Sequence, residues 1–283
     1  MTADDLGKYG VWQPHSTVTP AAAREIEELG YGALWLGGSP AADWDGYDAL
    51  LEATDTLTVA TSIVNIWSST AKDAAETYHR LEARFPGRFL LGVGAGHREH
   101  DGDYTKPYDA LVAYLDDLDA AGVPAHGRAL AALGPRVAKL ARDRTAAALP
   151  YLTVPEHTAA LRAQLGPDAR IIPEHKVVLD ADPDRARTTG APVFGFYLGL
   201  SNYTGNLRRF GFDDADLTAP GSDRLYDAVI AHGDADAITA KLTAHLDAGA
   251  DHIAVQILGA ADPLPALRAL APLLAQRTAT PRR

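Results

Sequence analysis

The chain of 283 residues carries 26 Lys and Arg against 37 Asp and Glu, a net charge of −11, and contains no cysteine. That composition excludes disulfide and thiolate chemistry and argues against nucleic-acid binding, which rests on clustered Lys and Arg that neutralise phosphates. An anionic ligand would be held by local backbone amides or a few placed arginines, because the overall field repels it. No run approaches the ~18 apolar residues of a membrane span. The opening MTADDLGKYG lacks the basic start and apolar core of a signal peptide, so the expectation is a cytoplasmic protein with no membrane or nucleic-acid partner.

Taken in chain order, residues 8–13 read as a first short strand, and Thr19 as the N-cap of a helix with Pro20 at its first position and Gly30 past its end. Residues 33–36 form a second buried strand that runs into Gly37, Gly38, Ser39 and Pro40, and 47–57 continue as helix. A third strand, 57–66, is rich in β-branched residues. Ser69 or Thr70 caps the next helix, whose Tyr78, Leu81 and Phe85 recur at i, i+3 and i+7. The fourth strand is the most informative: Phe89, Leu90, Leu91 and Val93 run into Gly92, Gly94 and Gly96, then turn polar at His97, Arg98, Glu99 and His100. An apolar run with a polar end is how a parallel strand buried on both faces reads, and chemistry in such folds collects at the carboxyl ends of strands. His97 is therefore expected at a pocket mouth, where small glycines let a flat ligand approach the backbone.

Leu111, Tyr114, Leu115 and Leu118 make a helical stripe ended by Gly122. A fifth strand at 129–133 passes through Gly134-Pro135 into a helix carrying Val137, Leu140 and Ala141. A sixth at 147–152 is followed by Thr153-x-x-Glu156, a capping box. After the seventh strand, 171–179, Asp182-Pro183 starts a helix, and an irregular insertion covers 190–222. One helix then carries Leu225, Val229 and Ile230, another starts at Asp234, and strand 252–258 and helix 263–274 complete the chain. Eight strands alternating with helices, without a composition break, predict an α/β (β/α)8 TIM barrel, a single domain over residues 1–283 with an insertion near the strand 7 to strand 8 region. An open doubly wound sheet is the alternative. Its Rossmann fingerprint fails here, because after Gly92 and Gly94 the third glycine should fall at His97 and no helix opens there.

Gly134-Pro135-Arg136 is a candidate anion site: a helix start offers free N–H groups from Gly134, Arg136 and Val137, the positive end of the helix dipole, and a guanidinium. From local sequence alone an ordinary βα turn is the simpler reading. The same holds for residues 61–67, which read first as a buried strand entering a loop. His97 and His100 with Asp101 and Asp103 lack a third clear ligand, so no metal is expected. His157 and His175 read as helix-start and strand residues, and the other histidines as solvated. No nucleophile elbow, P-loop or H-E-x-x-H is present.

Together these stretches resemble the luciferase-like flavin and deazaflavin oxidoreductases, in the branch that uses coenzyme F420. The resemblance runs over nearly the whole chain and includes GYGALWL (30–36), ATSIVNIW (60–67), FPGRFLLGVGAGH (85–97), KPYDALVAYLDDLDAAGV (106–123), AALGPRVAKLA (131–141), PYLTVPEHTAALRAQLG (150–166), PEHKVVLDADP (173–183), SNYTGNLRRFGF (201–212), GSDRLYDAVIAHG (221–233) and AGADHIAVQIL (248–258). It implies a barrel with the cofactor ring at the carboxyl ends of the strands. A non-proline cis peptide at Ser62-Ile63 would back the ring, which Gly38, Val64, Asn65, Gly96 and His97 would also contact. The phosphate would lie on Leu133, Gly134, Arg136 and Val137. One departure is plain: the alcohol and sugar-phosphate dehydrogenases of the family carry Asp-His at the end of strand two, and here those positions are Gly38 and Ser39. A serine with an unperturbed hydroxyl is no general base near pH 7. The resemblance thus implies an F420-dependent oxidoreductase that reduces an activated C=C or C=N bond of a small molecule, with His97, Trp12 and Ser39 as candidate catalytic side chains. The alternatives are an FMN-dependent monooxygenase served by a separate flavin reductase, and a non-catalytic cofactor-binding barrel. Phe194, Phe196, Tyr197, Tyr203 and Phe210 make the insertion either a pocket cover or outer packing. Relatives imply a homodimer.

Overall fold

A computed structural model describes residues 6–99 and 106–279. His100, Asp101 and Asp103 lie outside the described residues. Strands β1 (Tyr9–Pro14), β2 (Ala33–Gly37), β3 (Thr58–Thr61), β4 (Val64–Asn65), β5 (Phe89–Gly94), β6 (Arg128–Ala131), β7 (Ala147–Leu149), β8 (Glu174–Leu179), β9 (Ile230–Gly233) and β10 (Ile253–Ile257) all pair in parallel. Their order is β7-β6-β5-β3-β2-β1-β10-β8-β9, with β4 beside β5. A bridge from Ala148 to Ile171, just ahead of β8, closes the ends onto each other. The result is a barrel of eight staves: β3 and β4 share one, the bridge joins β7 to the β8 stave, and β9 pairs only with β8 as an addition to the ring.

Helices α1 (Pro20–Glu28), α2 (Gly46–Glu52), α3 (Ala71–Arg84), α4 (Pro107–Ala120), α5 (Pro135–Arg144) and α6 (Pro155–Leu165) follow the first six staves. Four helices separate β8 from β9: α7 (Pro183–Leu198), α8 (Ser201–Arg209), α9 (Asp214–Leu217) and α10 (Asp223–Val229). After β9 come α11 (Ala235–Asp247) and α12 (Leu264–Ala279). Among the described residues no helix is long and apolar enough to cross a membrane.

Strand side chains alternate between two faces, and the sequence exploits both. Leu34, Leu36, Val59, Leu91, Val93, Leu130, Val177 and Val255 face outward into one apolar layer with the helices. Trp35 fills the inside, against Ala33, Ala60, Leu90, Ala129, Ala147 and Ala254. One large ring surrounded by alanines fills the interior at low cost in rotamer entropy.

Two expectations need correction in the insertion. Residues predicted as irregular are largely helical, because Asp182 caps α7 through the N–H groups of Asp184 and Arg185, and Phe194 packs edge-on against Tyr226 at 5.5 Å. Tertiary burial overrides the weak propensity of Gly190, Pro192 and Gly195. Ile230, expected at the end of a helix, instead opens β9, which pairs with Lys176–Leu179 of β8. The capping box is also displaced. Pro155 takes the first helical position and makes Val154 the N-cap, so the buried Thr153 Oγ1 has no hydrogen-bond partner.

The histidines expected to be solvated include two of the most buried in the molecule, His245 and His252. Indole N–H only donates, so the 3.0 Å bond from Trp35 Nε1 makes His252 Nε2 an acceptor, and Nδ1 donates to the Gly7 carbonyl at 3.0 Å. Burial drives both His252 and His245 down to about 4. The unfolded chain takes up these protons below its ordinary ~6.5 and the native state only near 4, so stability is full above pH 6.5 and falls as acid is added. Each histidine is expected to contribute a loss of up to roughly 3 kcal/mol between pH 6.5 and 4. Urea unfolding across that window measures it, and His252→Gln should remove about half of the slope from this pair; an unchanged slope would refute the assignment.

The junction of β3 and β5 depends on one hydroxyl. Ala60 pairs with Leu90 and Val64 with Val93, so four steps on one strand match three on the other, which is a bulge. Thr61 fills the gap: its Oγ1 donates to the Gly92 carbonyl at 2.7 Å and accepts from the Gly92 N–H at 2.8 Å. Thr61→Val strands both Gly92 groups in the core and is expected to cost roughly 2–6 kcal/mol, at 1–3 per unsatisfied group. Thr61→Ser should retain most of the stability, and urea midpoints of the two variants decide the matter.

Candidate active site at the barrel mouth

The same alternation that fills the interior builds the layer above it, at the carboxyl ends of the strands. Trp12, Gly37, Gly94, Ala131, Lys176 and Gln256 follow, at two-residue steps, the interior residues Trp35, Ala129 and Ala254 or their counterparts on each strand. The mouth is therefore two-sided. Along β2, β5 and β6 it is lined by Gly37, Gly94 and Ala131, whereas β1, β8, β10 and the end of β7 supply an indole, a charged pair, an amide and a phenol.

On the small side, the peptide Ser62–Ile63 is cis, at the bond the resemblance singled out. A Cβ on Gly94 would stand 2.9 Å from both Ile63 Cγ1 and Ala131 Cβ, so Ile63 lies directly over these two small residues. Ser62 N–H donates to the Leu36 carbonyl at 2.7 Å, and Trp12 Nε1 donates to Ser62 Oγ at 3.2 Å. Asn65 turns its Oδ1 to the N–H of Trp67, 2.9 Å away, and shapes the following loop.

The other side holds a buried charge pair. Lys176 Nζ donates to Glu174 Oε2 at 2.9 Å, with both side chains at most 3% exposed. The ammonium also sits 3.7 Å from the centre of the Tyr151 ring and 4.8 Å from that of Tyr197. Burial pulls Lys176 below its ordinary value and raises Glu174, with the partner's charge opposing each shift. Tyr197 OH donates to Tyr151 OH at 2.8 Å, and Tyr151 OH donates to Gln256 Oε1 at 2.9 Å. Tyr151 packs on Trp12 at 5.9 Å, while Tyr203 packs on Tyr197 at 5.1 Å and on His97 at 5.4 Å. Tyr197 and Tyr203 come from α7 and α8, so the insertion covers the mouth. Glu99 fastens it there by accepting from the N–H and hydroxyl of Ser201 at 3.0 and 2.7 Å; those bonds lower its carboxyl to about 2.

At the rim, Gly134 is the N-cap of α5, no side chain caps that helix, and a Cβ there would meet nothing within 4 Å. The first-turn N–H groups of Arg136 and Val137 thus begin a helix end open to an anion. The Leu133 carbonyl is held by His157 Nε2 at 2.9 Å. The Arg136 guanidinium stacks 3.5 Å over the Tyr108 ring, at the side of this turn.

At the strand ends the structure joins Trp12 to Ser62, lays Ile63 over Gly94 and Ala131, and sets His97 against Tyr203, with Leu133, Gly134, Arg136 and Val137 at the end of β6; Val64, by contrast, is buried in the outer layer against the helices. Gly38 and Ser39 follow Gly37 directly at the end of β2; both are exposed, with φ of 77° and 50°, and a Cβ on Gly38 would stand 3.5 Å from His15 Nδ1. Of the aromatic residues of the insertion, Phe194 is core, Phe196 is half exposed, and Phe210 packs on His157. Sequence reasoning missed Glu174, Lys176, Tyr151 and Gln256, although charged residues at i and i+2 in a buried strand were a readable signal that one face is polar. It also missed His15, which reaches the end of β2 from β1, with Nδ1 3.0 Å from the Gly37 carbonyl and its ring 5.3 Å from Trp44.

What fold and mouth define is a closed (β/α)8 barrel with an elaborated crossover between its seventh and eighth staves. Residues 13–122 match the family model of luciferase-like monooxygenases. Three solved structures share the fold over nearly their whole lengths. An F420-dependent secondary alcohol dehydrogenase, in complex with an F420-acetone adduct, is 13% identical at a TM-score of 0.74, covering 95% of this chain and 98% of that one. The coenzyme F420-dependent tetrahydromethanopterin reductase from Methanopyrus kandleri is 14% identical at 0.70, covering 96% and 99%. The oxygenating constituent of 3,6-diketocamphane monooxygenase from Pseudomonas putida, in complex with FMN, is 14% identical at 0.66, covering 98% and 100%. No curated protein matches the sequence.

Trp12 owes its place to Gly37, where an added Cβ would lie 1.8 Å from the indole Cζ2. Gly37→Ala is expected to push the indole off Ser62 and to destabilise the fold by about 1–3 kcal/mol, the usual range for overpacking. A shift in tryptophan fluorescence together with a lower urea midpoint would show this; wild-type values for both would refute it.

Proposed function

We propose that the protein is a luciferase-like oxidoreductase that binds coenzyme F420 at the barrel mouth and reduces an activated C=C or C=N bond of a small organic substrate. The observation that carries this reading is the two-sided mouth: a ledge of Ile63, Gly94 and Ala131 small enough for a flat ring, opposite a wall of ionisable and aromatic groups. The family-model match over residues 13–122 supports the same class.

The residues fit such a group. Gly134, Arg136 and Val137 would hold the phosphate at the uncapped start of α5, where the dipole contributes about 0.5–2 kcal/mol. Ser62 and Ile63 would back the ring, and His97 would lie at its edge. When bound, a reduced deazaflavin supplies a hydride, and the protein supplies position and electrostatics. Positions 38 and 39 carry no Asp-His pair, so the arrangement of the alcohol-oxidising members that this chain resembles is missing there, which favours reduction. The second copy of a homodimer belongs to the same proposal, and light scattering tests it against the 30.0 kDa chain.

Fluorescence titration with F420 and with FMN tests the cofactor. Micromolar F420 binding, weakened at least tenfold in Gly134→Asp by a carboxylate at the phosphate turn, is the expected result. FMN binding with oxygen consumption, and no F420 binding, would replace this reading with a monooxygenase.

A further inference from the structure

We propose that Lys176 is the acid of this site, donating the proton that completes reduction of the substrate, with Glu174 and the faces of Tyr151 and Tyr197 holding its ammonium in place. The inference rests on the hydride-transfer reading above and adds the residue that balances it.

The geometry argues for a working group. Lys176 and Glu174 lie two residues apart on β8, so both project into the barrel, where the other staves place alanine, leucine and tryptophan. Stability does not ask for a pair here, since well-packed apolar residues usually serve a core as well or better. Glu174 lies one layer deeper, opposite Ala254, while Lys176 sits at the level of Gln256, its register partner on β10, and of Trp12. Its charge is supported from each side that packs on it. Glu174 comes from the same strand, Tyr151 from the end of β7, Tyr197 from α7 and Gln256 from β10, with Tyr203 and then His97 behind Tyr197. The neighbouring His175 points outward to His245, 3.1 Å away, and stays outside this group. Tyrosine hydroxyls linked from Tyr197 to Gln256 give the mouth a polar strip along which a carbonyl or imine end of a substrate is recognised. Burial draws Lys176 below the usual lysine range, nearer to the pH at which it must release a proton.

The step balances as follows. A hydride from the reduced deazaflavin forms a C–H bond at the electron-poor carbon, and the cofactor is oxidised by two electrons. The π pair of the C=C or C=N bond moves to the adjacent carbon or nitrogen. That atom takes a proton as one Nζ–H bond of Lys176 breaks, leaving a neutral amine beside Glu174 that solvent reprotonates.

The chain has six lysines, which makes 13Cε NMR titration of the intact protein tractable, with Lys176→Met assigning the signal. One resonance absent from that variant should titrate below 10.5 and move lower still in Glu174→Gln; an ordinary value overturns the proposal. With F420 as cofactor and cyclohex-2-enone and a cyclic imine as probes, Lys176→Met should keep the wild-type cofactor Kd. It should lose about 100-fold or more in kcat, together with the alkaline limb of the pH profile. Lys176→Arg should bind cofactor equally well and remain inactive, since its guanidinium holds its protons. Wild-type turnover in Lys176→Met, an equal loss of cofactor affinity, or a wild-type protein that binds F420 and reduces neither probe would each overturn the proposal. Absence of any F420 binding by the wild type would instead overturn the cofactor reading and this proposal with it, an outcome the titration alone reveals.

Discussion

The hydroxyl of Thr61 carries the architecture of the mouth. With one extra residue on its staff, the third strand cannot keep backbone register with the fourth, and the two Gly92 groups left over are satisfied by a single side chain that both donates and accepts. Because that stitch holds, the chain can leave register, turn Ile63 inward over Gly94 and Ala131, and resume pairing at Val64. Gly92 tolerates nothing larger, since a Cβ there would lie 2.0 Å from the Thr61 carbonyl oxygen. The FLLGVG run is thus glycine-rich on its inner face for two reasons, close strand contact at Gly92 and a shelf at Gly94.

Opposite that shelf the protein accepts an expense it could avoid. An ammonium and a carboxylate taken out of water lose several kcal/mol of hydration each, and their attraction offsets this only with good geometry and further partners. Lys176 has such partners in the faces of Tyr151 and Tyr197. The mouth therefore contains an apolar side suited to a planar group and a side where charge can be created or removed.

Much of the barrel was legible because period-two alternation and apolar runs state which strands are buried on both faces. The turn at Gly134-Pro135 was legible as a helix start, and the peptide at Ser62-Ile63 followed from the resemblance. What could not be read were features set by tertiary contacts. Helix α7 forms across Pro192 because Phe194 and Tyr226 bury each other, and Ile230 becomes strand because β8 offers it an open edge. His252 and His245 read as surface residues since a histidine carries no periodic signal, and only packing against Trp35 and His175 takes them inside. Glu174 and Lys176 are of another kind: their two-residue spacing in a buried strand did announce a polar inner face, and only their pairing and the rings around them needed the fold.

The inserted helices leave the sheet at Leu179 and come back in β9, whose Ala231 and Gly233 pair with Val177 and Leu179. The return point, Ile230, lies opposite Lys176, so departure and return are one strand apart and only three residues, about 10 Å, apart along the strand direction. A segment whose two ends are held this close on adjacent strands can grow, shrink or be exchanged for little closure entropy and without repositioning a single barrel stave. Tyr197 and Tyr203 ride on that segment, whereas the shelf and the charged pair do not. Divergence within such an architecture would alter which molecules are admitted long before it altered the chemistry performed on them.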